Sequence, residues 1–404
     1  NLLNGTIPAS LGNITSLKRL QLAYNPFRPS QLAPELGNLT NLEDFWLTNC
    51  GLIGSIPESF AKLSRLANFD VAENGITGPI PTLFFQLKTI VQLELYNNSF
   101  TGKLPSGWAN LTELRRFDAS MNSLTGRIPD ELCQLPLESL HLYENKLMGA
   151  LPESIAKSPN LNGLRLFSNR LNGSLPSELG KNSPLQTLDV SGNQFSGKIP
   201  ESLCAKGKLE ELLLIFNLFS GNIPASLAKC QSLGRVRLRF NQLTGEVPAE
   251  FWGLPHVYLL DLGNNVLSGH ISHMIQGAKN LSTLVISNNK FSGNLPDEIG
   301  MLDNLIDLEA RHNKFSGKIP SSLVKLEQLS RLDLYDNVLS GEIPEGIRAL
   351  KQLSELNLAR NKLSGEIPDE IGYLPGLNYL DLSWNNFSGE IPLALENLKL
   401  NELN

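Results

Sequence analysis

The sequence predicts an α/β solenoid: one array of about sixteen repeats over residues 1–404, with a parallel β-sheet along its concave face. Three observations predict it. An asparagine recurs with a period of 24, at Asn1, Asn25, Asn74, Asn98, Asn122, Asn145, Asn169, Asn193, Asn217, Asn241, Asn265, Asn289, Asn313, Asn337, Asn361 and Asn385, with Cys50 once in its place. Before each asparagine the residues follow L-x-x-L-x-L-x-x-N, as in Leu233, Val236, Leu238 and Asn241. After it they follow L-x-G-x-I-P, as in Leu171, Gly173, Leu175 and Pro176, or Leu363, Gly365, Ile367 and Pro368.

Each element follows from one of these. The alternation in the first motif is that of a short strand whose leucines point one way and whose intervening residues point the other. Stacking such strands gives a continuous apolar core, each buried leucine contributing roughly 1.5–3 kcal/mol. The asparagine amide can satisfy backbone groups where the chain leaves the sheet. Glycine permits an unusual turn and proline fixes an extended conformation without donating a hydrogen bond. The whole pattern resembles the plant-type leucine-rich repeat, which implies a second small strand and short 3-10 or helical turns on the convex side. Departures are few. Residues 26–34 replace the L-x-G-x-I-P register, the step from Asn25 to Cys50 is 25, that from Asn122 to Asn145 is 23, and Ser272 stands for the usual proline.

A net charge of -6 argues against a nucleic-acid or anionic-membrane surface, which needs a basic excess. No uninterrupted apolar run approaches the length of a membrane span, and no signal peptide is visible. The chain begins and ends inside a repeat, so it reads as a segment truncated at both ends. Eight N-x-S/T acceptors, at Asn4, Asn13, Asn38, Asn97, Asn110, Asn172, Asn280 and Asn386, point to an extracellular glycoprotein. Four cysteines are too few to build a disulfide-framed fold. Cys204 and Cys230 fall in adjacent repeats, within reach of a disulfide, buried free thiols being the other reading. Cys133 has no such neighbour, and Cys50 reads as a buried thiol.

The sequence carries no recognisable catalytic or metal-binding constellation. His270 and His273 form H-x-x-H in a convex turn without further ligands, which reads as solvated histidines rather than a metal site. His141 faces the concave side between Asp118 and Arg165. Asp70, Asp118, Asp189, Asp261, Asp333 and Asp381 share one strand position and read as a solvated column, not as an acid–base pair. No phosphate loop or nucleophile elbow is present. The segment reads as a non-enzyme without cofactor or metal.

The concave face is where departures from the repeat are informative. Its central column runs Asp70, Glu94, Asp118, His141, Arg165, Asp189, Leu213, Arg237 and Asp261, and flanking columns add Trp46, Tyr96, Tyr143, Phe167, Ile215 and Phe216. Exposed apolar groups bounded by charge mark a binding surface. Glu94 and Arg237 are six repeats apart, about 29 Å at one strand spacing each, which roughly nine residues of extended peptide would span. Arg235, Arg237 and Arg239 crowd one face of a single strand. The pair Arg235 and Arg237 either clamps a ligand carboxylate or pairs with Glu211 and Asp261 in the same columns.

The stretches FDASMN (117–122), SLGRVRLRFN (232–241), FWGLP (251–255), GAKNLS (277–282) and NYLDLSWNNFSGEIPLALENLKLNELN (378–404) resemble the HAESA and HAESA-like receptor kinases of plants. The resemblance implies a plasma-membrane receptor, involved in abscission signalling, whose ectodomain binds a secreted IDA-type peptide carrying a central hydroxyproline. It implies that Arg235 and Arg237 bind the peptide's terminal carboxylate. Glu94 would accept a hydrogen bond in the hydroxyproline pocket, with backbone oxygens of Phe117 and Ser139 holding a water. Tyr96, Tyr143 and Phe167, read from their concave-face positions and not from the resemblance, would line the track. It further implies a co-receptor of the somatic embryogenesis receptor kinase (SERK) family, placed near Tyr335, Tyr379 and Trp384. Terminal caps, a membrane helix and a Ser/Thr kinase would lie outside this segment. The alternative reading is a secreted leucine-rich-repeat inhibitor of a pathogen's wall-degrading enzymes.

Overall fold

The computed structural model describes residues 1–404 as two compact units, Asn1–Ser196 and Gly197–Asn404. Both are built from the same repeat. In the first unit, three-residue strands pair parallel, each with its neighbour one repeat on: Arg19–Gln21, Asp44–Trp46, Asn68–Asp70, Gln92–Glu94, Arg116–Asp118, Ser139–His141, Gly163–Arg165 and Thr187–Asp189. In the second, the ladder runs from Glu211–Leu213 and Arg235–Arg237 through Leu259–Asp261 to Tyr379–Asp381 and Glu402–Leu403. These are the concave sheets of a leucine-rich-repeat solenoid. Strands such as Arg170–Ser174 or Lys290–Asn294 form a second parallel ladder in each unit, beginning just after the repeat asparagine.

The middle residue of each concave strand is buried, so leucines and phenylalanines stack between the ladders and the turns. Phe45 and Phe69 are 5.1 Å apart and parallel, and Trp108 packs 4.8 Å from Phe117 in the first unit. Trp252 meets Phe291 at 5.8 Å in the second. The turns are short 3-10 helices such as Glu58–Lys62 and Asp369–Tyr373, each entered from a proline held near φ -66°. The motif glycine is needed for its backbone: Gly365 has φ +83°, and a Cβ there would meet Glu342 Cγ at 2.7 Å.

The asparagine has the role its position suggests. Asn169 Nδ2 donates to the carbonyls of Leu142, Leu166 and Phe167, and its Oδ1 accepts from Leu147 N at 2.9 Å. The residue before it is left-handed in one repeat after another, from Tyr24 to Trp384, at φ 50–58°. That conformation costs an L-residue about 1–2 kcal/mol, and it persists because the amide bonds beside it fix the chain.

Each departure has a local solution. Cys50, fully buried, donates its thiol to Leu22 O at 3.2 Å where an amide would otherwise reach. Ser272, in place of proline, accepts from Met274 N at 3.2 Å and caps its 3-10 turn. The repeat shortened to 23 residues holds an α-helical turn, Asp130–Cys133. The stretch 26–34 still supplies a strand, Ser30–Gln31, in register with Leu52 and Ile53. Cys204 and Cys230 form a disulfide with Cα atoms 5.9 Å apart, and Cys133 is a buried free thiol.

Candidate functional site

In the second unit, the strand Arg235–Arg237 turns Val236 into the core and both arginines outward, half-buried. The register sets Arg235 beside Glu211 and Leu259, and Arg237 beside Leu213 and Asp261. The acids are near but do not close on them. Arg235 Nη1 lies 3.8 Å from Glu211 Oε1, and Arg237 Nε lies 3.6 Å from Asp261 Oδ2. Both distances exceed a hydrogen bond. Arg237 Nε and Arg239 Nε are buried without a hydrogen-bond partner. Arg239 stands over the Phe240 ring at 4.9 Å, and Phe240 stacks on Phe216 at 4.4 Å. The site can therefore offer planar, fixed donors to an anion.

In the first unit, Glu94 stands in register between Asp70 and Asp118. It accepts from Gln92 Nε2 at 2.9 Å. Burial, followed by the neighbouring charge of Asp118, pushes its carboxyl up to about 7. Asp118 is better supplied: Ser120 gives it two hydrogen bonds and His141 Nδ1 lies 3.2 Å away. Tyr96 donates to Glu73 at 3.3 Å, and burial holds its phenol above the usual range. Tyr143 and Phe167 stack at 4.3 Å into a half-buried aromatic shelf. Phe117 is buried in the core, so only its main chain could serve a ligand, while Ser139 sits on the strand beside it.

Three sequence readings need correction. Trp46 belongs to the central column, in register with Asp70, rather than to a flanking one. Leu213 and Ile215, read as exposed, are each only 8% accessible. The aspartate column is not uniformly solvated: Asp118, Asp261 and Asp333 are buried. Asp70, Asp118, Asp189, Asp261, Asp333 and Asp381 each accept from the backbone N–H two residues on, at 2.9–3.3 Å. Their carboxylates are short enough to bend back to the turn. Sequence reading also missed the Phe216–Phe240 stack, because it did not anticipate two large side chains at left-handed positions. His270 and His273 are exposed on the convex turn. All eight N-x-S/T asparagines are exposed.

Fold and site define a class first: a leucine-rich-repeat ectodomain with a mixed acidic, aromatic and cationic concave face. The sequence matches the leucine-rich repeat region family over residues 249–401 and the Leucine Rich Repeat family over 41–63, 89–111, 113–135 and 184–205. It is 60% identical to the ectodomain of the Arabidopsis receptor kinase HAESA, covering 100% of this chain and 68% of that one. The TM-score is 0.98 to HAESA with an N-terminally extended IDA peptide hormone and 0.99 to HAESA with IDA and the co-receptor SERK1. The chain belongs to the family of HAESA-type leucine-rich-repeat receptor kinase ectodomains. A stretch of 30 residues is 73% identical to Receptor-like protein kinase HSL1 of Arabidopsis thaliana, covering 7% of this chain and 3% of that protein.

Proposed function

We propose that this chain is the extracellular, ligand-binding part of a plant plasma-membrane receptor kinase that binds a secreted IDA-type peptide and recruits a SERK-type co-receptor in cell-separation signalling. The observation that carries the reading is the arginine pair, held in register yet left beyond hydrogen-bond distance of its own acids. In the second unit, Arg235 and Arg237 take the peptide's free carboxylate. In the first, Glu94 accepts from a hydroxyproline, with the main chain of Phe117 and Ser139 beside it and Tyr96, Tyr143 and Phe167 packing on the peptide. Trp384, exposed at the end of a cation–π chain through Arg360 and Tyr335, and Tyr379 contact the co-receptor. The exposed N-x-S/T sites carry glycan. The kinase and membrane anchor lie outside this segment.

Calorimetric titration of the complete ectodomain tests the reading, using a hydroxyprolinated peptide with a free or an amidated C-terminus. Loss of two charge-assisted contacts in Arg235→Ala/Arg237→Ala predicts a weakening of roughly 2–4 kcal/mol for the free acid, with little further effect of amidation. Equal affinity of variant and wild type would return the arginines to Glu211 and Asp261 and overturn the assignment.

A further inference from the structure

The clamp arginines need something to hold them open, and one buried acid is placed to do it. Asp261 is 3% accessible, the first residue past Arg237 in the central column. Its Oδ1 accepts from Gly263 N at 3.3 Å, which ties the carboxylate to its own turn. Its Oδ2 is left facing Arg237 Nε at 3.6 Å. Gly263 follows Arg239 one repeat on, and its missing side chain keeps the space open: a Cβ there would lie 3.3 Å from Val285 Cγ1 and 3.5 Å from Asp261 Oδ1. Arg237 thus presents its Nε edge inward to a fixed negative post.

We propose that Asp261 is the positioning residue of the carboxylate clamp: it holds Arg237 by the Nε edge so that the terminal nitrogens of the guanidinium meet the ligand's carboxylate. This rests on the peptide-receptor reading above. The residues facing Asp261 are Arg237 on the preceding strand, Arg239 just past that strand and Val285 on the following one, with Glu309 one strand further. Both arginines attract the carboxylate, and Glu309 alone opposes its charge. A peptide carboxylate on Arg237 would also approach Asp261, so plain electrostatics would make Asp261 a hindrance to binding. A positioning role gives the opposite sign, because an arginine without its anchor spends most of its time in other rotamers.

The sign decides, and the substitution is one the fold already accepts. Asn357 occupies the same column and caps its turn through Ala359 N at 3.2 Å, so Asp261→Asn retains the structural bond and replaces the anionic oxygen facing Arg237 with a neutral amide NH2. Titration of the complete ectodomain with the free-acid and amidated peptides should show about tenfold weaker binding of the free acid to Asp261→Asn, with the amide unchanged. The thermal midpoint should not fall below the wild-type value, since the turn bond is kept and a buried charge is removed. Tighter or unchanged binding of the free acid would overturn the inference and leave the receptor reading intact. If Arg235→Ala/Arg237→Ala also bound the free acid as wild type does, the receptor reading itself would fall.

Discussion

Arg237 and Arg331 occupy the same concave face of the second unit, and their side chains are equally exposed, at 33% each. Their surroundings differ. Arg331 is gripped by Glu309 at 2.6 Å and faces Glu355 at 3.0 Å, whereas the one acid beside Arg237 stays 3.6 Å away. Exposure therefore does not separate an arginine that hydrogen-bonds its own acids from one that does not. What separates them is whether the chain's own acids have come into contact. The first unit repeats the contrast with carboxylates: Asp118 is supplied by Ser120 and His141, while Glu94 has one bond from Gln92 and a strongly raised pKa. In each comparison one group is bonded within the chain and the other is left with spare hydrogen-bonding capacity.

That contrast can be broken by experiment. The most completely filled side chains should matter most to folding. Asn145 is buried, accepts from Leu124 N and donates to Ala119, Leu142 and Tyr143 carbonyls. Asn145→Ala should cost about 3 kcal/mol in denaturant titration, since its partners lose their bonds without gaining water. A loss below that of an ordinary surface substitution would mean the asparagine ladder is not what fixes the repeat.

Glu94 should behave in the opposite way. Its folded pKa lies above the usual 4.5, so the folded state holds the proton more tightly than the unfolded chain does. Its contribution is present below pH 4.5 and is lost as the pH rises to about 7. Glu94→Gln stays neutral throughout. It should gain roughly 3 kcal/mol over wild type at pH 7.5 and almost nothing at pH 4.5. A constant difference across that window would show that Glu94 is already satisfied as an ionised group.

The arginines give the smallest effects and the sharpest test. Arg331→Ala leaves Glu309 and Glu355 without the cation they share and should lower stability by about 1–2 kcal/mol, half-exposure trimming the penalty of a buried pair. Arg237→Ala breaks no hydrogen bond but removes one of the two cations facing buried Asp261, and should cost less, about 0.5–1 kcal/mol. Thermal unfolding of the two variants side by side checks this, and equal losses would erase the distinction between the two sites.

The sequence by itself determined the repeat, the direction in which each strand residue points, and the outward positions of Glu94 in the first unit and of Arg235 and Arg237 in the second. A 24-residue period leaves each strand a single way to bury its leucines, so these properties are local and periodic. Trp46 stands four residues before Cys50 as Asp70 stands four before Asn74, so its central column was legible in the spacing. Only the tertiary structure decided which charges are spent and which are spare. Asp118 and Asp261 point outward by alternation, yet neighbouring strands bury them and their short side chains bend back to the turn. Glu211 and Asp261 lie in the right columns to neutralise Arg235 and Arg237, and nothing in their spacing tells 3.6 Å from the 2.6 Å seen at Arg331. The physical reason is that a hydrogen bond is made or lost within an ångström, a distance set by packing on either side and not by the repeat.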